Sequence, residues 1–209
     1  MKALIGKFVE IRSDRELKGL LWATAYGFCI MLGYYILRAV RDEISSADRG
    51  NLQILWTAVF FVMLLAVPLY SWVASKWSRG VFVPLANRFF IACLVAFWFS
   101  LFLLPDAARP WIDRVFYVWT SVFALFVVTV FWGFMADCFD NSQGKRLFAF
   151  IAVGSSVGGM LGSTITAVLA QLIPTFSLLL IACVPLEIAS WCARVLHRNF
   201  ETGNVRQAG

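Results

Sequence analysis

Residues 52–75 read LQILWTAVFFVMLLAVPLYSWVAS, a run without a single charged residue. A helix needs about 20 mostly apolar residues to cross the hydrocarbon core of a bilayer, and this run exceeds that. Working outward, five further runs of the same kind lie at 19–40, 81–104, 115–136, 147–173 and 176–196. Six such runs in 209 residues leave no connector large enough for a separate soluble domain. The pattern predicts an all-α polytopic membrane protein. It has an N-terminal segment 1–18, a six-helix transmembrane bundle over 19–196, and a segment 197–209 that is a polar tail or the start of an interdomain linker.

Composition agrees with that class. The chain is 61% hydrophobic, 16% aromatic and 14% charged, with a mean hydropathy of +0.78; an average soluble domain is far more polar. A net charge of +6 can signal a nucleic-acid partner, but here the cations sit in connectors. Lys2, Lys7, Arg12, Arg15 and Lys18 precede the first run, Lys76 and Arg79 follow the second, Lys145 and Arg146 follow the fourth, and Arg194, Arg198 and Arg206 close the chain. The alternate connectors hold fewer: Arg38, Arg41, Arg49, Arg109 and Arg114. The positive-inside rule then places both termini in the cytoplasm, consistent with six crossings, which put both ends on one side. The first run has full spanning length and no small-residue cleavage site after it, unlike a signal peptide. The five cysteines lack metal-site spacings and read as small apolar packing residues.

Ordinary signals mark the boundaries. The first helix is expected to end in RDEISSADRG (41–50), Pro105 and Pro110 bracket one turn, and Pro174 makes another. Trp111, Tyr117 and Trp119 suit one aromatic belt, and Trp72 and Trp77 the other. Pro68 and Pro185 fall within helices, where membrane proteins tolerate a kink or a hinge.

Ionisable groups at membrane depth are costly and usually face a cavity or a partner. In GYYILRAVRDE (33–43), Tyr34, Arg38 and Arg41 fall on one helix face, and Asp42 lies one turn beyond Arg38. Two guanidiniums beside a tyrosine suit a planar or phosphorylated anion; interfacial snorkelling with an Arg38–Asp42 pair explains the same residues. Asp137 closes the fourth helix next to Lys145 and Arg146, either of which can pair with it. Arg88 lies within the third helix, beside Asn87, and Glu187 lies near the middle of the sixth. Glu187 suits a protonated coupling site or a structural bridge to Arg88. Lys145 and Arg146 join Glu187 and Arg88 as candidate coupling or gating groups.

In GSSVGGMLGS (154–163), Gly154, Gly158 and Gly162 recur every four residues and let another helix approach closely. The expected role is helix packing; in a carrier it is also a sliding surface. In an isolated half, this face is expected to be exposed and ready to pair with a second half or a second copy.

GYYILRAVRDE, and FWGFMADCFDNSQGKRLFAFIAVG (131–154), resemble the ADP/ATP translocase-type nucleotide transporters of plastids and intracellular bacteria, and their wider bacterial relatives. In that family a Tyr-x-x-x-Arg-x-x-Lys-Asp pattern closes helix one, and an acid followed by a Lys-Arg-Phe-like loop closes helix four. The resemblance places Arg38, Arg41 and Asp42 on the first pattern, Asp137 on the acid, and Lys145 with Arg146 on the basic pair. Arg41 stands where the family has Lys, and Asp137 where it has Glu. The family has the twelve-helix major-facilitator fold built of two six-helix halves, and this chain matches the first half.

The resulting expectation is a secondary transporter, or its N-terminal half, for an organic anion, with ATP:ADP-type antiport by alternating access. Arg38, Arg41, Asp42, Tyr34 and Asp137 would bind substrate, and Glu187 would couple protons. The partners are the lipid bilayer, the anion, and a second six-helix half or a homodimer mate. No cofactor is implied. The alternative is a truncated or split six-helix protein that assembles without transporting. An enzyme is not expected, because the one histidine, His197, has no nucleophile in a recognisable pattern around it.

Overall fold

A computed structural model describes residues 13–77 and 79–201. It contains six long helices: α1 (Asp14–Ala47), α2 (Leu52–Lys76), α3 (Arg79–Leu103), α4 (Arg109–Cys138), α5 (Asn141–Leu169) and α6 (Leu178–Leu196). Short 3-10 turns lie at Arg49–Asn51, Asp106–Ala108 and Thr175–Ser177, and a π-helical turn, His197–Glu201, follows α6. All six long helices are long and apolar enough to span a membrane, and the described residues contain no strand. The expected features within residues 1–12 and 202–209 lie outside the described residues.

α1 and α4 run past their apolar runs at both ends and α5 begins before its run, and local signals say why. Ser13 caps α1, its hydroxyl accepting from the Glu16 N–H at 3.1 Å. At the other end the expected turn RDEISSADRG is helical through Ala47, because Arg, Glu and Ala favour helix and no Gly or Pro occurs before Gly50. DNSQGKRLF, expected as a loop, instead forms the first turns of α5. Asp140 accepts from the Ser142 and Gln143 N–H groups, and Gln143 accepts from the Asp140 N–H, a complete capping box. In α4, Pro110 sits in the first turn, where its missing N–H leaves no helical bond unmade.

α1 is the central helix, packed against α5, α6 and α4; α3 packs on α6 and α4. The core between them holds Tyr26 and Ile30 of α1, Phe123, Phe131 and Phe134 of α4, and Ala182 and Leu186 of α6. α2 lies on α4 and buries only Leu55, leaving Phe60, Phe61, Leu64 and Leu65 exposed. That helix presents the surface a lipid phase would solvate. Two expected belt residues belong to the interior instead: Tyr117 is buried, and the Trp119 ring stacks on Phe123 at 5.5 Å. Trp111, Trp72 and Trp77 are exposed.

The glycine stripe closes an internal contact. A Cβ at Gly158 would strike the Phe28 backbone carbonyl, one at Gly162 would sit 2.6 Å from the Leu32 carbonyl oxygen, and one at Gly154 would meet the Thr24 methyl. The Tyr35 ring covers Gly159. Removing side chains lets α5 lie backbone-to-backbone on α1. The expectation that this face is open for a second half or copy is therefore corrected: the chain's own α1 fills it.

Contacts between helix ends define two ends of the bundle. At the near end, Arg15 donates to the Asn199 carbonyl at 2.9 Å, so α1 begins where α6 finishes. His197 lies against Gly80, which brings in the start of α3. At the far end, the last turns of α1 meet the start of α4 and the α5–α6 turn.

Candidate functional site

The α1 residues expected to bind an anion lie at the far end, in altered company. The Asp42 carboxylate lies 3.6 Å from Arg38 Nε and 3.2 Å from Arg41 Nη2. Helical spacing along α1 makes this cluster, since Arg38 and Asp42 are one turn apart. Arg38 stands over the Tyr35 ring and Arg41 over the Tyr117 ring, each at 5.5 Å, while Tyr34 meets Tyr35 edge-on. Tyr35 and Tyr117 thus supply the rings that Tyr34 was expected to supply. Tyr117 also accepts a bond from the Trp56 indole at 3.1 Å, tying α4 to α2 beneath Arg41. Arg38 and Asp42 are about half exposed and Arg41 less so, at 24%. Chemically, this grip is two guanidiniums on one solvent-accessible carboxylate, with N–H donors of a kind that suits an anion.

Asp137 does not join it. It closes α4 at the near end, with α4 running from far end to near, whereas Arg41 lies at the far end. Lys145 is exposed in the second turn of α5, and Arg146 turns inward to a partner nothing in the local sequence marks. Its Nη2 donates to Glu16 at 2.8 Å, and Glu16 is only 4% exposed by side chain. This pair locks the start of α1 to the start of α5.

A second lock closes the far end. Arg114 Nε donates to Asp48 Oδ2 at 2.9 Å, and Asn51 donates to the other oxygen at 2.7 Å. Arg114 and Asn51 hold the Asp48 carboxyl below the ordinary carboxylate range, about 3.9. The folded chain therefore favours ionised Asp48 more than the unfolded chain does. The stabilisation is complete above the unfolded value and fades as pH falls through the lower folded value. An Asp48→Asn chain should show a flatter acid limb when the thermal midpoint in detergent is followed from about pH 6 to pH 2. Identical profiles for the two chains would exclude the clamp. The Asp140 cap is lowered too, first by the Ser142 hydroxyl, and titrates in the same direction.

A far-end recess of about 230 Å³ includes none of the grip residues and is lined by Phe97, Phe116 and Phe176 with Glu43, Arg109 and Asp113. Ligand pockets run from about 300 to 1,000 Å³. The recess is smaller, and its two acids oppose an anion.

Glu187 and Arg88 do meet, across α6 and α3, at 3.2 Å. Arg194 joins them from the last turn of α6 at 3.3 Å. All three are about half exposed: Arg88 54%, Glu187 49% and Arg194 43%. The Arg194 contact follows from two turns of helix and was legible in the spacing. Glu16, Asp48, Arg114 and Tyr117 were not, because their partners come from other helices.

These helices define the class: a helical membrane protein with six spanning-length helices. No family model matches the chain, and no curated protein or solved structure is significantly similar to it.

Proposed function

We propose that the chain is the N-terminal six-helix half of an alternating-access carrier for an organic anion of the nucleotide class, resembling the ADP/ATP translocase-type transporters. The observation that carries this reading is the Arg38–Asp42–Arg41 cluster with its two tyrosine rings. An exposed ion pair is worth only about 0–1 kcal/mol. A phosphate offers more acceptors and more charge than Asp42, so it can take over both guanidiniums. The rings keep the guanidinium planes in place for a second, flat group. Motion has a basis in the same helix. α1 lies on the smooth glycine face of α5, and ion pairs at its two ends are contacts that a tilt would exchange. In this reading both termini are cytoplasmic, the membrane is a bacterial inner membrane, and a second half completes the cavity wall.

The test is binding of ADP and of inorganic pyrophosphate to the chain in lipid nanodiscs. Arg41→Gln should weaken binding by about 1.5–3 kcal/mol, the scale of a hydrogen bond to a charged group. Arg41→Lys should lose less, since it keeps the charge and gives up the bidentate geometry. Equal affinity in all three proteins would return Arg41 to an anchoring role.

A second reading, a six-helix protein that assembles rather than transports, is favoured by one observation: the half-exposed ionic triad on α3 and α6.

A further inference from the structure

The Arg88–Glu187–Arg194 triad lies on the outside of the bundle, and its depth makes that costly. Glu187 is midway along α6, and Arg88 stands about two and a half turns into α3. With α3 and α6 crossing a ~30 Å hydrocarbon core, both fall in its middle portion rather than at a headgroup level. Around them the two helices expose an apolar stripe: Leu85 and Phe89 on α3, and Val184, Ile188 and Trp191 on α6. Charged groups at this depth almost always face protein or water, not acyl chains.

Charge decides what covers them. Two guanidiniums share one carboxylate oxygen, Glu187 Oε1, which leaves one positive charge in excess. A guanidinium carries five N–H donors, and Arg88 directs one of them at Glu187. A second copy of this chain would bring the same excess. It would also bring no further acid, because among the described residues every other carboxylate lies near a helix end. We infer that the α3–α6 face docks a transmembrane helix of a different protein, one carrying a carboxylate at mid-membrane depth that pairs with Arg88 and Arg194. The inference extends the assembly reading and is independent of the anion grip, which lies at the far end on α1.

The probe is a synthetic polyleucine transmembrane peptide with one central Glu, compared with otherwise identical peptides carrying central Leu or central Lys. Energy transfer to the dye-labelled chain in phosphatidylcholine vesicles reads association. The Glu peptide should bind at least about tenfold tighter than the Leu peptide, the equivalent of one charge-assisted hydrogen bond, and the Lys peptide no tighter than Leu. Arg88→Leu and, separately, Arg194→Leu should remove most of the preference, and Arg88→Lys should retain part of it. Equal binding of the three peptides, or a preference for Lys, overturns the inference. So does self-association of the labelled chain that Arg88→Leu abolishes, which would assign the face to a second copy. Neither result bears on the Arg41 binding assay, so the two readings fail separately.

Discussion

An Arg146→Ala chain should lose about 3–5 kcal/mol of stability, the usual consequence of breaking a buried ion pair from one side. Glu16 would be left with its carboxylate almost wholly inside the protein, at 4% exposure, and without the guanidinium 2.8 Å away. The pair sits where α1 and α5 begin, so its loss releases the near end of the tightest helix contact in the bundle. Replacing both members by apolar residues of similar size, Glu16→Leu with Arg146→Met, should recover most of the loss, because the desolvation of two charges disappears with their attraction. Glu16→Gln alone should fall between. The measurement is the denaturation midpoint in detergent micelles, followed by tryptophan fluorescence. A loss under about 1 kcal/mol for Arg146→Ala would mean the pair behaves as a solvated one.

Gly158→Leu should be at least as damaging, by more than about 3 kcal/mol, beyond ordinary overpacking. A Cβ at this position falls on the Phe28 carbonyl group, which is main chain and cannot rotate aside. Even Gly158→Ala forces α5 away from α1. Gly154→Ala is the informative contrast, because its Cβ would meet the Thr24 methyl. Adding Thr24→Ser removes that methyl and keeps the hydroxyl that donates to the Leu20 carbonyl at 2.7 Å, so the double variant should approach wild type. Gly50→Ala, with open space around it, should change stability by less than about 0.5 kcal/mol. Wild-type stability for Gly158→Leu would show that α5 does not rest on α1.

Helix ends illustrate where local reading stops. The apolar core of α1 is evident from its composition, but its last two turns are polar and read as a loop until the chain is seen to stay helical through Ala47. The start of α5 is the reverse case: the capping box was written in Asp140 and Gln143, yet polar residues before an apolar run also suit a connector. In a membrane protein the apolar run reports the hydrocarbon thickness, not the helix length.

The sequence by itself determined the class and the number of spanning-length helices, and singled out some of the polar groups that pair, Arg38 with Asp42 and Arg88 with Glu187. Run length, charge-free stretches and one-turn spacings such as Arg38–Asp42 are properties of a single helix. The tertiary structure decided everything that needs two helices. It paired Arg146 with Glu16, 130 positions away. It set Arg41 on Tyr117 and filled the glycine face with α1. It also turned Glu187 outward with Arg88 and Arg194. The physical reason is that an ion pair or a close backbone contact depends on which helix faces which. That choice is made by shape, by where glycines allow approach, and not by spacing along any one helix.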